Sequence, residues 1–319
     1  MQRVVIVWRF VRAQRIAFVQ RFVMWRCVIV WRFVIVRRFG IVQSPANVYG
    51  RSVVLGTMNL AGEGRPSREV ALATIHAALD AGVESIDTAD VYGLDEHDAH
   101  FAERLVAEVR RERAFVIATK GGVRRRGDAW EHVGDPAYLR RACEASLRAL
   151  EIDAHDVYFL HAVDVRVPIE ESVGELARLR DEGKLVRLGV SNVDATQLRR
   201  ALAVAPIEVV QNEASPFVRM APEVEAECRA RGIVLQVYAP MGGWRAGRVA
   251  HEPVLRRVAH ELGVSPFEAI VAWTIARGWQ PVCGASWPEN ARSSARAAAI
   301  AMTEAQVVAI DAIVPARVT

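Results

Sequence analysis

Residues 115–122 read Phe115-Val116-Ile117-Ala118-Thr119-Lys120-Gly121-Gly122, an apolar run that halts on a charge before a pair of glycines. Near-continuous apolar runs of this length suit strands covered on both faces, as in an all-parallel sheet. Similar wording recurs in Asp156-Val-Tyr-Phe-Leu160, Ile207-Glu-Val-Val210 and Ile233-Val-Leu-Gln-Val237. The lysine itself is unusual here. Of 41 basic residues only Lys120 and Lys184 are lysines. Arginine stays charged at any working pH, whereas lysine is a compact charge whose proton affinity its surroundings can tune. A lysine kept at a strand end is therefore a candidate for chemistry.

Outward from Lys120, strand runs are expected to end near Met58, Asp87, Lys120, His161, Ser191, Asn212, Tyr238 and Cys283. The gaps between these ends are 21 to 45 residues, the size of a βα unit. Helical periodicity fills them at Ser67–Ala81, Ala102–Arg113, Pro136–Leu150, Glu170–Glu182, Asp194–Ala203 and Ala221–Arg231, with a last helix at Pro288–Ala299. Two more patterns, Glu252–Leu262 and Pro266–Arg277, lie in the longest gap and read as an insertion or extended loop. Eight such units predict a (β/α)8 barrel, a TIM barrel, over residues 46–319. No GxGxxG follows the first run, where Gly56-Thr-Met-Asn-Leu-Ala-Gly62 has the wrong spacing, which argues against a Rossmann domain.

In a (β/α)8 barrel the chemistry sits where strands end and helix-bound loops begin. The polar residues expected there are Asp87, Tyr92, Lys120, His161, Ser191, Asn192, Gln211, Asn212 and Tyr238, with Gly284-Ala285-Ser286 closing the set. A phenol has a free pKa of about 10 and is a poor acid near neutrality. An ammonium beside it eases loss of the proton, and a carboxylate beyond the ammonium holds it in place. Asp87, Lys120 and Tyr92 can supply that chain, and His161 can orient a carbonyl oxygen. The set suits protonation of an oxygen that gains negative charge.

These residues fall in stretches that resemble the aldo-keto reductase family. They are Ile86-Asp-Thr-Ala-Asp-Val-Tyr-Gly93, Ile117-Ala-Thr-Lys-Gly-Gly122, Val157-Tyr-Phe-Leu-His161, Glu182-Gly-Lys-Leu-Val-Arg-Leu-Gly-Val-Ser-Asn192, Gln211-Asn-Glu-Ala-Ser215, Tyr238-Ala-Pro-Met-Gly242 and Gly284-Ala-Ser-Trp-Pro288. The resemblance runs in family order over about residues 50–315. It implies NAD(P)H-dependent reduction of an aldehyde or ketone, with Tyr92 as general acid, Lys120 and Asp87 as its tuning pair, and His161 orienting the carbonyl. It further implies Ser191, Asn192 and Gln211 around the nicotinamide carboxamide and Tyr238 stacked on its ring. Met241, Gly242, Gly284, Ala285, Ser286 and Asn290 would follow the rest of the dinucleotide. Two departures stand out. The segment 284–290 has no basic residue before Arg292 to meet a 2′-phosphate, and Ser293-Ser294 replace a common Glu-Asn pair. NADP(H) is still expected ahead of NAD(H). A nucleotide-sensing regulatory subunit on the same barrel is the alternative.

Substrate-facing candidates are Met58, Trp130, Val163 and Trp244, which suggest an apolar or aromatic carbonyl compound; Trp130, Trp244 and Trp287 read equally well as loop packing. Lys184, in Asp181-Glu-Gly-Lys184, reads as a solvated charge at a helix end. His97, His100, His155, His251 and His260 fall in predicted loops or helices and receive no role, and Tyr158 reads as barrel packing. Asp95-Glu96-His97-Asp98 reads as a solvated loop rather than a metal site, and the four dispersed cysteines as free thiols in a reducing compartment, so no metal is expected. The net charge of +4 conceals a split, because residues 1–51 hold ten arginines and no acid. From residue 52 onward 31 basic residues face 37 acidic ones, which gives no support for nucleic-acid binding.

Residues 1–45 form a repetitive extension in which Val5-Ile-Val-Trp-Arg-Phe-Val11 recurs at 28–34. Arginines break each apolar run well short of the roughly 18 residues a membrane span needs. Neither a membrane span nor a secretory signal is expected. A membrane-surface arm and a β-prone packing arm are weighed behind a third reading, translated upstream repetitive DNA outside the fold. The expected protein is cytoplasmic, a monomer or weak oligomer, acting on a small carbonyl compound.

Overall fold

The computed structural model describes residues 52–127 and 129–313. The extension 1–45 and the boundary expected at 46 lie outside them. Eight parallel strands close into a barrel: β1 (Val54–Gly56), β2 (Ser85–Asp87), β3 (Val116–Gly121), β6 (His155–Leu160), β7 (Leu185–Ser191), β8 (Val209–Glu213), β9 (Val234–Tyr238) and β10 (Gln280–Gly284). Their order round the barrel is β1-β10-β9-β8-β7-β6-β3-β2. A further antiparallel pair, β4 (Val123–Arg126) and β5 (Ala129–His132), rises from the end of β3. The sequence gives no hint of that hairpin.

The helices begin and end on local chemistry. Ser67, Asp135, Asp194, Ser265 and Thr303 accept backbone N–H bonds at helix N-termini, which satisfies donors that the first turn leaves without partners. Gly232 and Gly263 end helices in the left-handed region, where the lack of a Cβ removes the steric penalty. The apolar faces of helix and strand enclose two large sectors of core. One is built on β6–β9 around Leu176, Leu188, Val210 and Val237, the other on β1–β3 around Ile75, Ile86 and Ile117.

Strand register decides what fills the barrel. Lys120, Phe159 and Gly189 are neighbours across β3, β6 and β7. A Cβ on Gly189 would lie 2.4 Å from the Phe159 ring, so glycine makes the room that this fully buried aromatic occupies. Gln211, Gln236 and Gln280 are likewise in register across β8, β9 and β10.

Several expectations are corrected. The first strand stops at Gly56, and Met58 opens a single helical turn, Met58–Ala61. Thr57 terminates the strand there by bonding back, through backbone N–H and hydroxyl, to Asp87 O. His155 lies on β6, fully buried. The helix Pro266–Ala276 packs on β10 and on Pro288–Ala297, so it is a regular member of the outer ring and not part of an insertion. The inserted piece is a 3₁₀ stretch, Gly243–His251, and the helix Pro253–Leu262. Among the described residues no helix is long and apolar enough to cross a membrane.

Candidate active site

The strand ends bring Asp87, Lys120 and Tyr92 together as the spacing suggests. Asp87 closes β2, and Lys120 projects from β3, whose residue Ala118 pairs with Asp87. The ammonium is 1% exposed and the carboxylate 2%. Lys120 Nζ donates to Asp87 Oδ1 at 2.5 Å, to Thr88 O at 2.9 Å and to Tyr92 Oη at 3.3 Å. All three ammonium donors are thereby used, which is what a buried lysine requires to remain charged. Burial lowers the Lys120 pKa, but Asp87 and Tyr92 outweigh it and the net shift is upward. Burial also raises the Tyr92 pKa, opposed by Lys120, and the net direction is again up. At neutral pH the pair is an ammonium beside an intact phenol.

The second carboxylate oxygen leads elsewhere. Gln211 Nε2 donates to Asp87 Oδ2 at 2.8 Å and to Gln236 Oε1 at 2.8 Å, and Gln236 Nε2 donates to Gln280 Oε1 at 3.0 Å. β8 and β2 stand on opposite sides of the barrel order, so the Gln211–Asp87 bond crosses the lumen. Gln236 and Gln280 were not anticipated. In the sequence they are polar interruptions of apolar runs, and only the register reveals a continuous amide chain.

His161 follows β6. Its backbone N–H donates to Gly121 O, and its carbonyl accepts from Asn192 Nδ2 at 2.9 Å. The imidazole stands edge-on to Tyr92, with centroids 6.0 Å apart at 80°, and edge-on to Trp130, at 6.5 Å and 87°. Burial, then the nearby Lys120 charge and His132, push its pKa well below the usual value, so the ring is neutral at pH 7. Its Nδ1 is buried without a hydrogen-bond partner.

Of the remaining candidates, Ser191, Asn192, Gln211 and Tyr238 are joined by hydrogen bonds at the ends of β7–β9, and among the described residues the others are not tied to them. Ser191 Oγ donates to Gln211 O at 2.7 Å. Asn192 sits at φ +57°, a conformation asparagine tolerates better than most residues. It donates to Ser191 Oγ at 3.2 Å and accepts from Tyr238 Oη at 2.7 Å, which ties the half-buried tyrosine to the β7 end. Gly242, at φ +89°, leaves no room for a Cβ against Phe217, and a Cβ on Gly284 would lie 2.9 Å from Asn59 Nδ2. Ala285 is buried in the β1–β3 core, Met241 packs on the β6–β9 core, Ser286 is half-buried and Asn290 exposed. Ser293, one of the two departures, donates to Glu268 at 2.9 Å, so it packs against a neighbouring helix.

The Aldo/keto reductase family model matches residues 52–315. The chain belongs to the aldo/keto reductase family. A glycerol dehydrogenase from Gluconobacter oxydans is 25% identical, with a TM-score of 0.73 over 85% of this chain and 95% of that one. An aldo/keto reductase from Klebsiella pneumoniae, solved in complex with NADP and acetate, is also 25% identical, with a TM-score of 0.70 over 83% and 93%. An aldo-keto reductase from Bacillus halodurans, in its holo form, shares the fold at 22% identity and a TM-score of 0.71 over 84% and 93%. Like other aldo/keto reductases, the chain is an NAD(P)H-dependent oxidoreductase.

Of the substrate-facing candidates, Trp130 is against His161. Val163 packs on the β6–β9 core and its carbonyl lies 3.2 Å from His132 Nδ1. Met58 is half-exposed, while Trp244 is 84% exposed and stacks on Arg245. Two histidines given no role do have partners. His100 Nδ1 is 2.6 Å from the buried Glu103, which also accepts from Thr119 Oγ1 at 2.6 Å, and His155 Nε2 is 3.2 Å from Cys143 O. Lys184 is ion-paired to Glu144 and Glu182 at 2.7 and 2.8 Å rather than simply solvated. Beside Lys120 lies Asp90, whose pKa is raised well above the usual range, first by burial and then by Glu103. Nothing in the sequence distinguishes these two buried acids from exposed ones.

Proposed function

We propose that the enzyme reduces an aldehyde or ketone to an alcohol, with Tyr92 as the general acid. One observation carries this reading: a fully buried ammonium shared between the Asp87 carboxylate and the Tyr92 hydroxyl. As a carbonyl carbon gains a hydride, its oxygen becomes an alkoxide and needs a proton. Tyr92 holds that proton at neutral pH. Lys120 stabilises the phenolate left after transfer, and Asp87 keeps Lys120 charged in a buried setting. His161, neutral, can donate a hydrogen bond that polarises and orients the carbonyl oxygen.

The residues present fit a nicotinamide dinucleotide. Gly242 and Gly284 lie after β9 and at the end of β10, where the Phe217 and Asn59 side chains take the space of a Cβ, so the backbone there is left without a side chain of its own. Ser191, Asn192 and Gln211 present amide and hydroxyl groups suited to a carboxamide, and Tyr238 offers a tethered ring. When bound, the dinucleotide supplies the hydride. Met241, Ala285, Ser286 and Asn290 complete the dinucleotide-binding set in this reading. NADP(H) is favoured over NAD(H), supported by the NADP-bound Klebsiella relative. Arg292, the first basic side chain after β10, is 3.7 Å from Glu289 and half-exposed.

The test pairs binding with turnover. Fluorescence titration with NADPH and NADH measures the preference, and loss of NADPH absorbance with an aldehyde panel measures reduction. Tyr92→Phe should bind the dinucleotide as the parent chain does and lose about 10²- to 10⁴-fold in kcat, the usual worth of a positioned acid. An unchanged kcat would refute the assignment. Binding with no turnover of any carbonyl compound by the parent chain would favour the nucleotide-sensing subunit instead.

A further inference from the structure

The β4–β5 hairpin brings to the site one arginine, Arg125, that no acid among the described residues neutralises. Its register pairs Val123 with His132 and Arg125 with Trp130, so these four side chains share one face. That face carries Trp130 onto the His161 imidazole, and the Arg125 guanidinium lies 5.1 Å from the Trp130 ring centroid. Arg124, on the opposite face, is ion-paired to Glu131 at 2.8 Å. Arg166 and Arg65, close by in the fold, hold Asp164 at 2.9 Å and Asp98 at 2.5 Å. Arg125 differs from all of them. Among the described residues its hydrogen bonds go only to carbonyl oxygens, Leu94 O at 2.9 Å and Gly127 O at 3.5 Å. Among the described residues no carboxylate lies within ion-pairing distance of it.

A guanidinium has five N–H donors, so these two bonds leave most of the fork free. Stacking on Trp130 and the bond to Leu94 O fix its position beforehand, which lowers the entropy lost on capturing a ligand. Arg125 is half-buried, where a charge interacts more strongly than in open water. Trp130 separates His161 from Arg125 and offers an apolar ring between the two ends.

We propose that Arg125 is an anion-binding element of the substrate pocket, and that the substrate is an aldehyde or ketone carrying an anionic oxygen group, such as a carboxylate, across a short apolar spacer. The inference rests on the reductase reading: the carbonyl lies at His161 and Tyr92, the spacer along Trp130, and the anion on the Arg125 fork. A purely mechanical role is the competing account, since the Leu94 bond also latches the hairpin to the Tyr92 loop.

The experiment compares 4-carboxybenzaldehyde with its methyl ester, the same aldehyde without the charge, using the full chain and R125Q. The ratio of kcat/KM for acid over ester should fall about tenfold in R125Q, with the change carried by KM. Added salt should lower that ratio in the parent chain and leave it nearly unmoved in the variant. R125K, which keeps the charge without the fork, should retain part of the ratio and carries the test if R125Q does not fold. Equal losses on both substrates would show a latch and overturn the proposal, as would an unchanged ratio. If the parent chain consumes neither aldehyde, the reductase reading fails separately. Calorimetric binding of terephthalate then decides the anion site: a tenfold weaker affinity in R125Q supports it, and equal affinities overturn it.

Discussion

Replacing Asp87 by asparagine removes one charge from the barrel lumen and keeps the shape. Lys120, 1% exposed, would then rest on Thr88 O at 2.9 Å, Tyr92 Oη at 3.3 Å and a neutral amide oxygen. With that oxygen turned to Lys120, the new amide nitrogen meets Gln211 Nε2, and two donors face each other where Asp87 Oδ2 now accepts. Removing one partner of a buried ion pair costs about 3–5 kcal/mol. Lysine has an exit, because it can shed its proton. Burial is the largest influence on Lys120 and lowers its pKa, and Asp87 is the first counterweight. Without the carboxylate, the pKa should drop below the free value of about 10.4. Deprotonation at about 1.4 kcal/mol per pH unit then caps the charge penalty at about 5 kcal/mol at pH 7 and about 2 kcal/mol at pH 9. The sign follows from proton counts. The unfolded variant binds more protons than the folded one, so its stability rises with pH. In the parent chain the raised Lys120 pKa keeps the lysine charged and its contribution intact at both pH 7 and pH 9, below the free value of about 10.4. Urea unfolding of D87N should therefore show a deficit of about 3–5 kcal/mol at pH 7 that shrinks by at least about 1 kcal/mol at pH 9. A pH-independent deficit under about 1 kcal/mol, the behaviour of an exposed pair, would refute the reasoning.

Two further outcomes follow from the same lumen. Gly189→Ala should destabilise by about 1–3 kcal/mol, because its Cβ would sit 2.4 Å from Cδ1 and Cε1 of the fully buried Phe159. Its melting temperature should drop by at least about 3 °C, while Gly247→Ala, with nothing within 4 Å, stays at the parent value; equal melting of the two would contradict the packing argument. The pH profile of carbonyl reduction should be flat from about pH 6 to 9. Tyr92, raised by burial, stays a phenol across that range and is lost as an acid only as pH rises through its elevated pKa, and His161, pushed well below its usual value, stays neutral. A limb in kcat with a midpoint near 6.5, where a free histidine titrates, would show that His161 changes charge during turnover.

What the sequence made legible was the parallel barrel and the polar residues at its strand ends. Strands buried on both faces are written as unbroken apolar runs, and the helices between them carry their own caps, so each βα unit announces itself locally. The hairpin did not. Arg124-Arg125-Arg126-Gly127 lacks the apolar alternation of a half-buried strand, and its order comes from contacts with the Tyr92 loop, through Glu96 to Gly127 N at 3.0 Å and Arg125 to Leu94 O. The amide chain was hidden for a different reason. Gln211 and Asp87 are 124 residues apart, and Gln236 and Gln280 are 44 apart, so nothing local marks them as partners. Gly189 likewise looks like any glycine until register sets it beside Phe159.

The lumen is also consistent as a piece of electrostatics. A barrel core is a packed interior in which an uncompensated charge costs several kcal/mol. Asp87 resolves this by serving two systems with its two oxygens, Oδ1 toward the Lys120–Tyr92 arm and Oδ2 toward the amide chain. One anion and one cation cancel, and three neutral amides spread the remaining hydrogen bonds from β8 to β10 without adding charge. The Tyr92 hydroxyl is therefore mounted on a scaffold-wide hydrogen-bond system rather than on a loop alone. This explains why Tyr92 can sit on a turn after β2 and still meet Lys120 from β3 at a fixed distance: the ammonium that it touches is anchored from across the barrel.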